Sequence, residues 1–281
     1  LSFSCQATVT LGADEEIVRR MADARFSVVF LGVESLRQEC LDEVNKGHLA
    51  RFDARQTVTT LSRYGIIPFI GLIVGFDNDR PETFSELADF LGETHSPIAS
   101  ISVLNAPEGT ALYDRLKAAG RINEEFAGVW HFSTNIIPIA MTLTELLAGH
   151  RSLFRTLYEP EEFERRAWGW LSRVEYFSDL YTNSRTNWSK MWKAVHIFRH
   201  FLLHRDRRIR GMFLRLLRTT WKHNPRLVKK VFTILSQYPH YYDFSHDAAW
   251  QSGGQTDRQR AGSGSESGPD SGSVSRWKDI R

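Results

Sequence analysis

The sequence predicts an α/β fold followed by an all-helical region. Strand-like apolar runs alternate with helix patterns of roughly ten residues as far as Gly120, and helix patterns dominate from Thr142 to about Tyr238. Strands that alternate with helices are typical of right-handed crossovers in a parallel sheet. The periodicity does not decide between a barrel and an open sheet.

The first elements follow from composition and charge. Phe3 to Thr10 is rich in residues that favour strands. The acids from Asp14 to Glu16 suit the positive end of a helix, which we expect to run to about Ala24. Ser27 to Val33 is continuously apolar, as in a strand that is covered on both faces.

Two pairs of polar residues have the spacing of a helix start. Ser35 and Gln38 resemble a capping box and predict a helix from that point. Asp53 and Gln56 have an equivalent spacing before a helix that Gly65 should end.

Two more strands follow. Ile66 to Val74 and Ile98 to Leu104 are apolar runs of strand length, separated by a helix that begins at Pro81, where proline loses no hydrogen bond. After a turn at Pro107 to Gly109, the pattern predicts a helix from Thr110 to Ala119.

The chain changes character after Gly120. Thr142 and Glu145 form another capping box, and from Gln251 to Ser275 the chain is rich in Ser and Gly and should be disordered. We therefore predict three regions: an α/β region at 1–125, a helical region at 126–250 and a disordered tail at 251–281.

Composition limits the class of protein. The 281 residues are 42% hydrophobic and 25% charged, which fits a soluble globular protein. The longest nearly apolar run, Gly65 to Phe76, is too short to span a bilayer. The chain contains two cysteines, Cys5 and Cys40, which is typical of a reducing cytoplasm. Because it begins at Leu1 within a strand pattern, we expect that an N-terminal portion is missing.

Charge is distributed unevenly. Arg185 to Lys230 contains fourteen basic residues and one acid, for a net charge of +13, whereas the rest of the chain carries −10. Aromatic side chains lie among these cations: Trp188, Trp192, Phe198, Phe213 and Trp221. Three interpretations are open, in decreasing order of preference: helices that are solvated or docked on the acidic remainder, a surface that binds the inner face of an anionic membrane, and a nucleic-acid contact.

Candidate functional residues lie where parallel strands end, because the loops there vary above a rigid sheet. The rule selects Gly32 to Ser35, Gly71 to Gly75, and Leu104 to Pro107.

Four segments in this order resemble a known family. They are FLGVES at 30–35, LDEVNKG at 41–47, GLIVGFDNDRPETF at 71–84 and LNAPEGTALYDRLKAAGRI at 104–122. Together they resemble the second half of a radical S-adenosylmethionine (SAM) domain of the cobalamin-dependent type, the group that includes hopanoid methylases and anaerobic Mg-protoporphyrin cyclases. The segment at 135–166 is similar to the helical extension of a hopanoid-methylase-like subgroup.

The resemblance implies a fold and a set of cofactor contacts. The fold would be the later strands of a partial (β/α)6 TIM-like barrel with an all-helical C-terminal extension. Glu34 would contact the ribose or methionyl part of SAM, and Lys46 its carboxylate. The other implied contacts, all to the adenine, are Gly71, Ile73, Gly75, Leu104 and Asn105.

Four of these residues also have a simpler interpretation. Glu34 could be an acid favoured by the N-terminus of the helix opened at Ser35, and Lys46 a solvated charge at a helix end. Gly71 and Gly75 could mark close strand packing.

The sequence departs from the family at the iron–sulfur site. The family holds a 4Fe-4S cluster on a CxxxCxxC loop, and Cys5 and Cys40 lie 35 residues apart with no third cysteine in the chain. We interpret them as inert buried thiols and assign no metal ligand and no catalytic residue.

The expected function is therefore that of a fragment. The complete enzyme would use SAM, the cluster and cobalamin to methylate or otherwise transform an unactivated carbon of a small-molecule or lipid substrate. This chain would supply SAM contacts and be inactive alone. The alternative is a non-catalytic module that binds a membrane surface or another anionic partner through its basic helices.

One further pattern is weaker. His196, His200 and His204 recur on one helix face at a spacing that can bind zinc. No acid lies between them to act as a base, and a polar helix face is the preferred interpretation.

Overall fold

The computed structural model describes residues 2–124, 133–177 and 188–246. Within these residues the strands are β1 Phe3–Thr8, β2 Phe26–Glu34, β3 Ile67–Val74 and β4 Ile98–Val103. The helices among and after the strands are α1 Glu15–Asp23, α2 Gln38–Glu43, α3 Ala54–Arg63, α4 Glu82–Glu93 and α5 Ala111–Ala118. The later helices are α6 Leu143–Tyr158, α7 Pro160–Ser172, α8 Trp188–Leu202, α9 Arg207–His223, α10 Val228–Leu235 and α11 Tyr238–His246.

The four strands form one parallel sheet in the order β1-β2-β3-β4. Phe30 of β2 lies opposite Phe69 of β3, which in turn lies opposite Ile98 of β4. The prediction of a mixed α/β fold with parallel strands is confirmed.

Helix caps are present at two of the three positions where the sequence predicts them, Asp53 and Thr142, and also at Thr110, which the sequence predicts only as a helix start. The side chains of Asp53, Thr110 and Thr142 each accept a hydrogen bond from a backbone N–H in the first turn of α3, α5 and α6. The predicted cap at Ser35 is wrong: α2 begins at Gln38, and Ser35 Oγ instead accepts from the backbone N–H of Arg37. A local turn of this kind competes with a cap.

One face of the sheet is covered by helices. Val29, Leu31, Ile70, Leu72 and Ile101 are fully buried on this face. They pack with apolar side chains of α1, α3 and α4 in the hydrophobic core. Residues that alternate along a strand point to opposite faces, so this packing leaves Phe30, Phe69 and their neighbours on the other face.

The helical region covers the outer edge of β4. The Tyr158 hydroxyl donates to the backbone oxygen of Ala99 at 2.6 Å and accepts from the N–H of the same residue at 3.1 Å. His150 Nε2 lies 2.8 Å from the Ile101 oxygen. Both groups are buried. Burial raises the pKa of Tyr158 and lowers that of His150 to about 4, so His150 is neutral at pH 7 and donates from Nε2.

Arg166 of α7 contacts the residues just before β4. Its guanidinium is fully buried and donates to the backbone oxygens of Ser96, Pro97 and Leu157. Edge strands expose unpaired backbone groups, and here Tyr158 and His150 pair those of β4 while Arg166 pairs the oxygens of the two residues before it. We call Tyr158, His150 and Arg166 the β4 edge cluster.

The predicted disordered tail at 251–281 and the start of the basic segment lie outside the described residues. Within the part that the structure does describe, we find no helix whose length and apolar content would suffice to cross a bilayer.

Candidate functional site

The second face of the sheet is only partly covered. Phe30, Phe69 and Ser100 are half-buried, and Gln6 is exposed. A cavity of about 440 Å³ lies on this face, lined by strand residues such as Gln6 and Phe30 and, from the helical region, by Thr233 and Gln237. This cavity lies over the first half of each strand, and none of the seven predicted site residues lines it.

Glu34 ends β2 on this side of the molecule. The β2–β3 register shifts between Gly32 and Glu34, and Glu34 has a φ of 65°. A positive φ is uncommon for a residue with a Cβ atom and costs backbone energy. The shift turns the Glu34 side chain back along the strand.

Gly32 provides the space for this side chain. A Cβ atom on Gly32 would lie 2.9 Å from Oε1 of Glu34, closer than real contacts allow. Sequence reasoning noted Gly32 as part of a strand end but gave it no role. The sequence feature that could have indicated a role is the position of Gly32, two residues before Glu34 in the same strand.

Lys46 is paired with Glu34. Lys46 Nζ donates to Glu34 Oε1 at 2.6 Å, and the two side chains are 43% and 17% exposed. Neither simple interpretation of Glu34 and Lys46 included this ion pair. The structure thus brings two of the predicted site residues into direct contact.

The two predicted glycines are explained by packing in this structure. A Cβ atom on Gly71 would lie 2.7 Å from Cζ of Phe30. Gly75 has a φ of 102°, and its Cβ would lie 3.1 Å from Cδ2 of Leu146 in α6. Gly71 therefore makes room for an aromatic ring, and Gly75 allows a backbone conformation that side chains disfavour.

A buried carboxylate holds the loop after β3. Asp79 Oδ2 accepts from the backbone N–H groups of Gly75 at 2.7 Å and Phe76 at 3.0 Å. Asp79 is 1% exposed, and burial raises its pKa despite these two bonds. Cys40 Sγ lies 3.6 Å from its other oxygen. Sequence reasoning missed Asp79, because only the folded loop reveals that its carboxylate points inward.

Two further contacts fix the same loop. Glu43 of α2 accepts from the backbone N–H groups of Asp77 and Asn78 at 3.0 and 3.2 Å. Arg121 donates two hydrogen bonds to Asp77, which lowers the pKa of that carboxyl. These contacts connect the loop after β3 to α2 and to Arg121.

The residues after β4 are hydrogen-bonded to the segment at 133–135. The Asn105 side chain donates to the backbone oxygens of Val103 and Ser133 and accepts from the N–H of Asn135. Leu104 is 8% exposed, and its oxygen accepts from Thr134 Oγ1 at 2.6 Å. Direct contact between the Asn105 amide and a ligand would require release of these bonds.

All seven predicted residues lie at or near the carboxyl edge of the sheet. In the register, Gly32 lies beside Gly71, and Glu34 beside Leu72, one residue before half-buried Ile73. Gly75 follows β3, and Leu104 and Asn105 follow β4. We call Glu34, Lys46 and Gly32, with the end of β3 and its loop at 71–79 and the loop at 104–106, the carboxyl-edge site.

The cysteines do not form a cluster site. Cys40 is fully buried, and burial with the nearby Asp79 raises its pKa to about 12, so the thiol stays protonated. Cys5 of β1 is half-buried, contrary to the expectation of a buried thiol, and its pKa is also raised by burial. Within the described residues, no three His, Cys, Asp or Glu side chains are arranged to hold a metal ion.

His196 and His200 lie on α8, and His204 lies two residues after its end, in a region that also exposes Trp192 and Leu203. His196 is exposed, and His200 and His204 are half-buried. His204 Nδ1 accepts from the backbone N–H of Asp206 at 3.1 Å, which uses one of its two nitrogens. Burial lowers the pKa of His200.

Part of the basic segment is docked on acids of α7 and of the residue that caps it. Arg208 pairs with Glu159 and Glu161, and Arg215 pairs with Glu164 at 2.6 Å. These pairs match the interpretation of basic helices that dock on the acidic remainder of the chain.

Comparison with known proteins supports the resemblance seen in the motifs. The model of the family described as Domain of unknown function (DUF4070) matches residues 110–252. A hopanoid C-2 methylase of Rhodopseudomonas palustris is 34% identical over 122 residues, which are 43% of this chain and 23% of that protein.

More distant relatives are also methyltransferases by name. An uncharacterized methyltransferase of Synechocystis is 29% identical over 57% of this chain and 30% of its own length. A bacteriochlorophyllide d C-8(2)-methyltransferase of Chlorobaculum tepidum is 22% identical over 58% of this chain and 39% of its own. The chain thus spans less than half the length of these relatives.

One solved structure is similar at a low level. It is the cobalamin-dependent S-adenosylmethionine radical enzyme OxsB with aqua-cobalamin bound, at a TM-score of 0.39 and 15% identity, covering 90% of this chain and 44% of that one. The resemblance to hopanoid methylases is confirmed by the sequence relatives, and the chain belongs to the DUF4070 family.

Proposed function

We propose that this chain is the SAM-binding part of a radical SAM methyltransferase that acts on an unactivated carbon with the help of cobalamin. The four strands would be consecutive members of a partial (β/α)6 barrel, for which the sequential parallel order of β1 to β4 is required. The helical region, at about 126–250, would close the barrel at the outer edge of β4. The substrate would be a small molecule or a lipid, as the names of the relatives suggest.

The observation that carries the proposal is the ion pair over Gly32. A carboxylate that is 17% exposed and a lysine that is 43% exposed meet at the carboxyl edge of a parallel sheet, at the border of a partly open face. A carboxylate can accept hydrogen bonds from two ribose hydroxyls, and an ammonium can neutralise the methionyl carboxylate of SAM. Glu34 and Lys46 would therefore hold the two polar ends of one ligand.

The rest of the carboxyl-edge site would position the base. Asp79 fixes the backbone of Gly75 and Phe76, so that the loop after β3 presents a constant surface beside Ile73 and Leu104. SAM, when bound, supplies the adenosyl and methyl groups of the chemistry. The chain's own residues bind and orient it.

The described residues do not fit an iron–sulfur cluster. Cys5 lies on β1 and Cys40 is buried in α2 beside Asp79, and both pKa values are raised, whereas a cluster needs several thiolates on one loop. No step that involves the cluster is assigned to this chain.

The test is SAM binding by calorimetry to the full-length protein, with Glu34→Gln and Lys46→Met compared with the wild type. Loss of one charge-assisted hydrogen bond weakens binding by roughly 1.5–3 kcal/mol, so we expect at least tenfold lower affinity for each variant. Stability should change by less than about 1 kcal/mol, because the pair is partly exposed.

Lys117→Met is the matched control, since it removes an exposed lysine that pairs with Glu124 instead. Its affinity for SAM should equal that of the wild type. Unchanged affinity in both Glu34→Gln and Lys46→Met would refute the assignment.

A further inference from the structure

Helix α9 carries its cations on more than one side. Arg208 and Arg215 pair with acids of α7 and are part of the packing of the helical region. Arg218 and Lys222, one turn apart, are both exposed. The second pair is not explained by the docking of α9 on α7.

Exposed apolar side chains accompany this second pair. Leu214, Leu217, Arg218 and Trp221 follow one another at helical spacing, and with Val228 and Phe232 they line a shallow depression between α9 and α10. Leu214 is 50% exposed and Trp221 is 65% exposed. We call these six residues, with Lys222, the α9–α10 face.

Charge decides what this face can bind. From Arg207 to Tyr242 the sequence contains no Asp or Glu. A second copy of the same face would bring like charges together, which opposes self-association. The partner must therefore be anionic and must also accept a large apolar side chain.

We propose that the α9–α10 face docks on a bilayer surface that contains anionic phospholipid. Trp is the side chain that favours the level of the lipid headgroups, because its ring is apolar and its N–H is polar. Arg218 and Lys222 flank Trp221 and would lie at the phosphates, while Leu214 enters the acyl boundary. This inference goes beyond the proposed function and is independent of SAM binding.

The experiment is co-sedimentation of the complete chain with vesicles of phosphatidylcholine, alone or with phosphatidylglycerol at 30 mol%. We expect binding to the anionic vesicles that decreases as salt is added. Each cation near such a surface contributes about fivefold in affinity, so Arg218→Ser with Lys222→Ser should weaken binding by roughly 25-fold. Trp221→Ser should weaken binding to the same vesicles while the cations remain.

The matched control is Arg55→Ser with Lys117→Ser, which removes two exposed cations from α3 and α5 and gives the same net charge. Its binding should equal that of the wild type. The proposal is overturned by absence of binding at low salt, by equal losses in the two double variants, or by equal binding to neutral vesicles. One further result with Trp221→Ser would also overturn it. That result is unchanged binding to vesicles, together with loss of either self-association or binding to an acidic peptide.

Discussion

Two groups of polar residues lie at different edges of the same sheet, and they differ in burial and in their hydrogen-bond partners. The β4 edge cluster is buried, and its hydroxyl, imidazole and guanidinium groups bond to backbone groups of 96–101 and 157. The carboxyl-edge site holds a partly exposed ion pair beside a half-open face. Buried polar groups are costly to disturb, whereas a partly exposed pair exchanges partners at little cost. The first group maintains the fold, and the second can bind a ligand.

The largest expected effect is at the β4 edge cluster. Arg166→Ala removes a fully buried side chain and leaves the backbone oxygens of Ser96 and Leu157 without a donor. We expect a loss of about 3–5 kcal/mol in the free energy of unfolding, measured by urea denaturation.

Arg165→Ala is the control, because Arg165 is the residue before Arg166 but is 52% exposed in its ion pair with Glu162. It should cost less than about 1 kcal/mol. Equal losses in the two variants would contradict the structural role of the buried guanidinium.

The second effect is a dependence of stability on pH. Burial lowers the pKa of His150 to about 4 in the folded state, against about 6.5 in the unfolded chain. Between pH 4 and pH 6.5 the unfolded chain therefore binds more protons than the folded chain. The contribution of neutral His150 to the free energy of unfolding is complete above pH 6.5 and decreases as the pH falls toward 4. The linkage amounts to about 3 kcal/mol over this range.

His150→Gln keeps a donor for the Ile101 oxygen but does not titrate. His95 and His200 also have lowered pKa values and add to the slope in both proteins. Urea denaturation at pH 7 and pH 4.5 should therefore show a smaller loss in the variant than in the wild type. An identical pH dependence would disprove the assignment to His150.

The smallest effect on stability is expected at the carboxyl-edge site. Gly32→Ala places a Cβ atom against Oε1 of Glu34, which can move because it is the end of a flexible side chain. We expect stability to change by less than about 1 kcal/mol, and SAM affinity to fall about tenfold as the carboxylate leaves its position. A variant that binds SAM normally would show that the position of the Glu34 carboxylate is unimportant.

Local patterns predicted much of the fold. The apolar runs at 27–33, 66–74 and 98–104 correspond to β2, β3 and β4, and the predicted caps at Asp53 and Thr142 are observed. These features depend on neighbouring residues alone. The cap at Ser35 failed because Ser35 forms a two-residue turn, and the Gln38 side chain bonds to Asp42 and Gly47.

Long-range contacts were not predictable. The bonds from Tyr158 to Ala99 and from Arg166 to Ser96 join residues 59 and 70 positions apart. The sequence pattern selected Glu34 and Lys46 separately through a family resemblance, but their ion pair and the space at Gly32 depend on the bend at the end of β2. A sequence pattern identifies residue types that are suited to a site, whereas the folded backbone determines which of these residues come into contact.

The most direct test of the account is a crystal structure of the protein with S-adenosylhomocysteine. We predict that the nucleoside lies at the carboxyl edge of the sheet, with the Glu34 carboxylate within hydrogen-bond distance of the ribose hydroxyls and Lys46 Nζ beside the ligand carboxylate. A nucleoside bound elsewhere, with the Glu34–Lys46 pair intact and untouched, would contradict it.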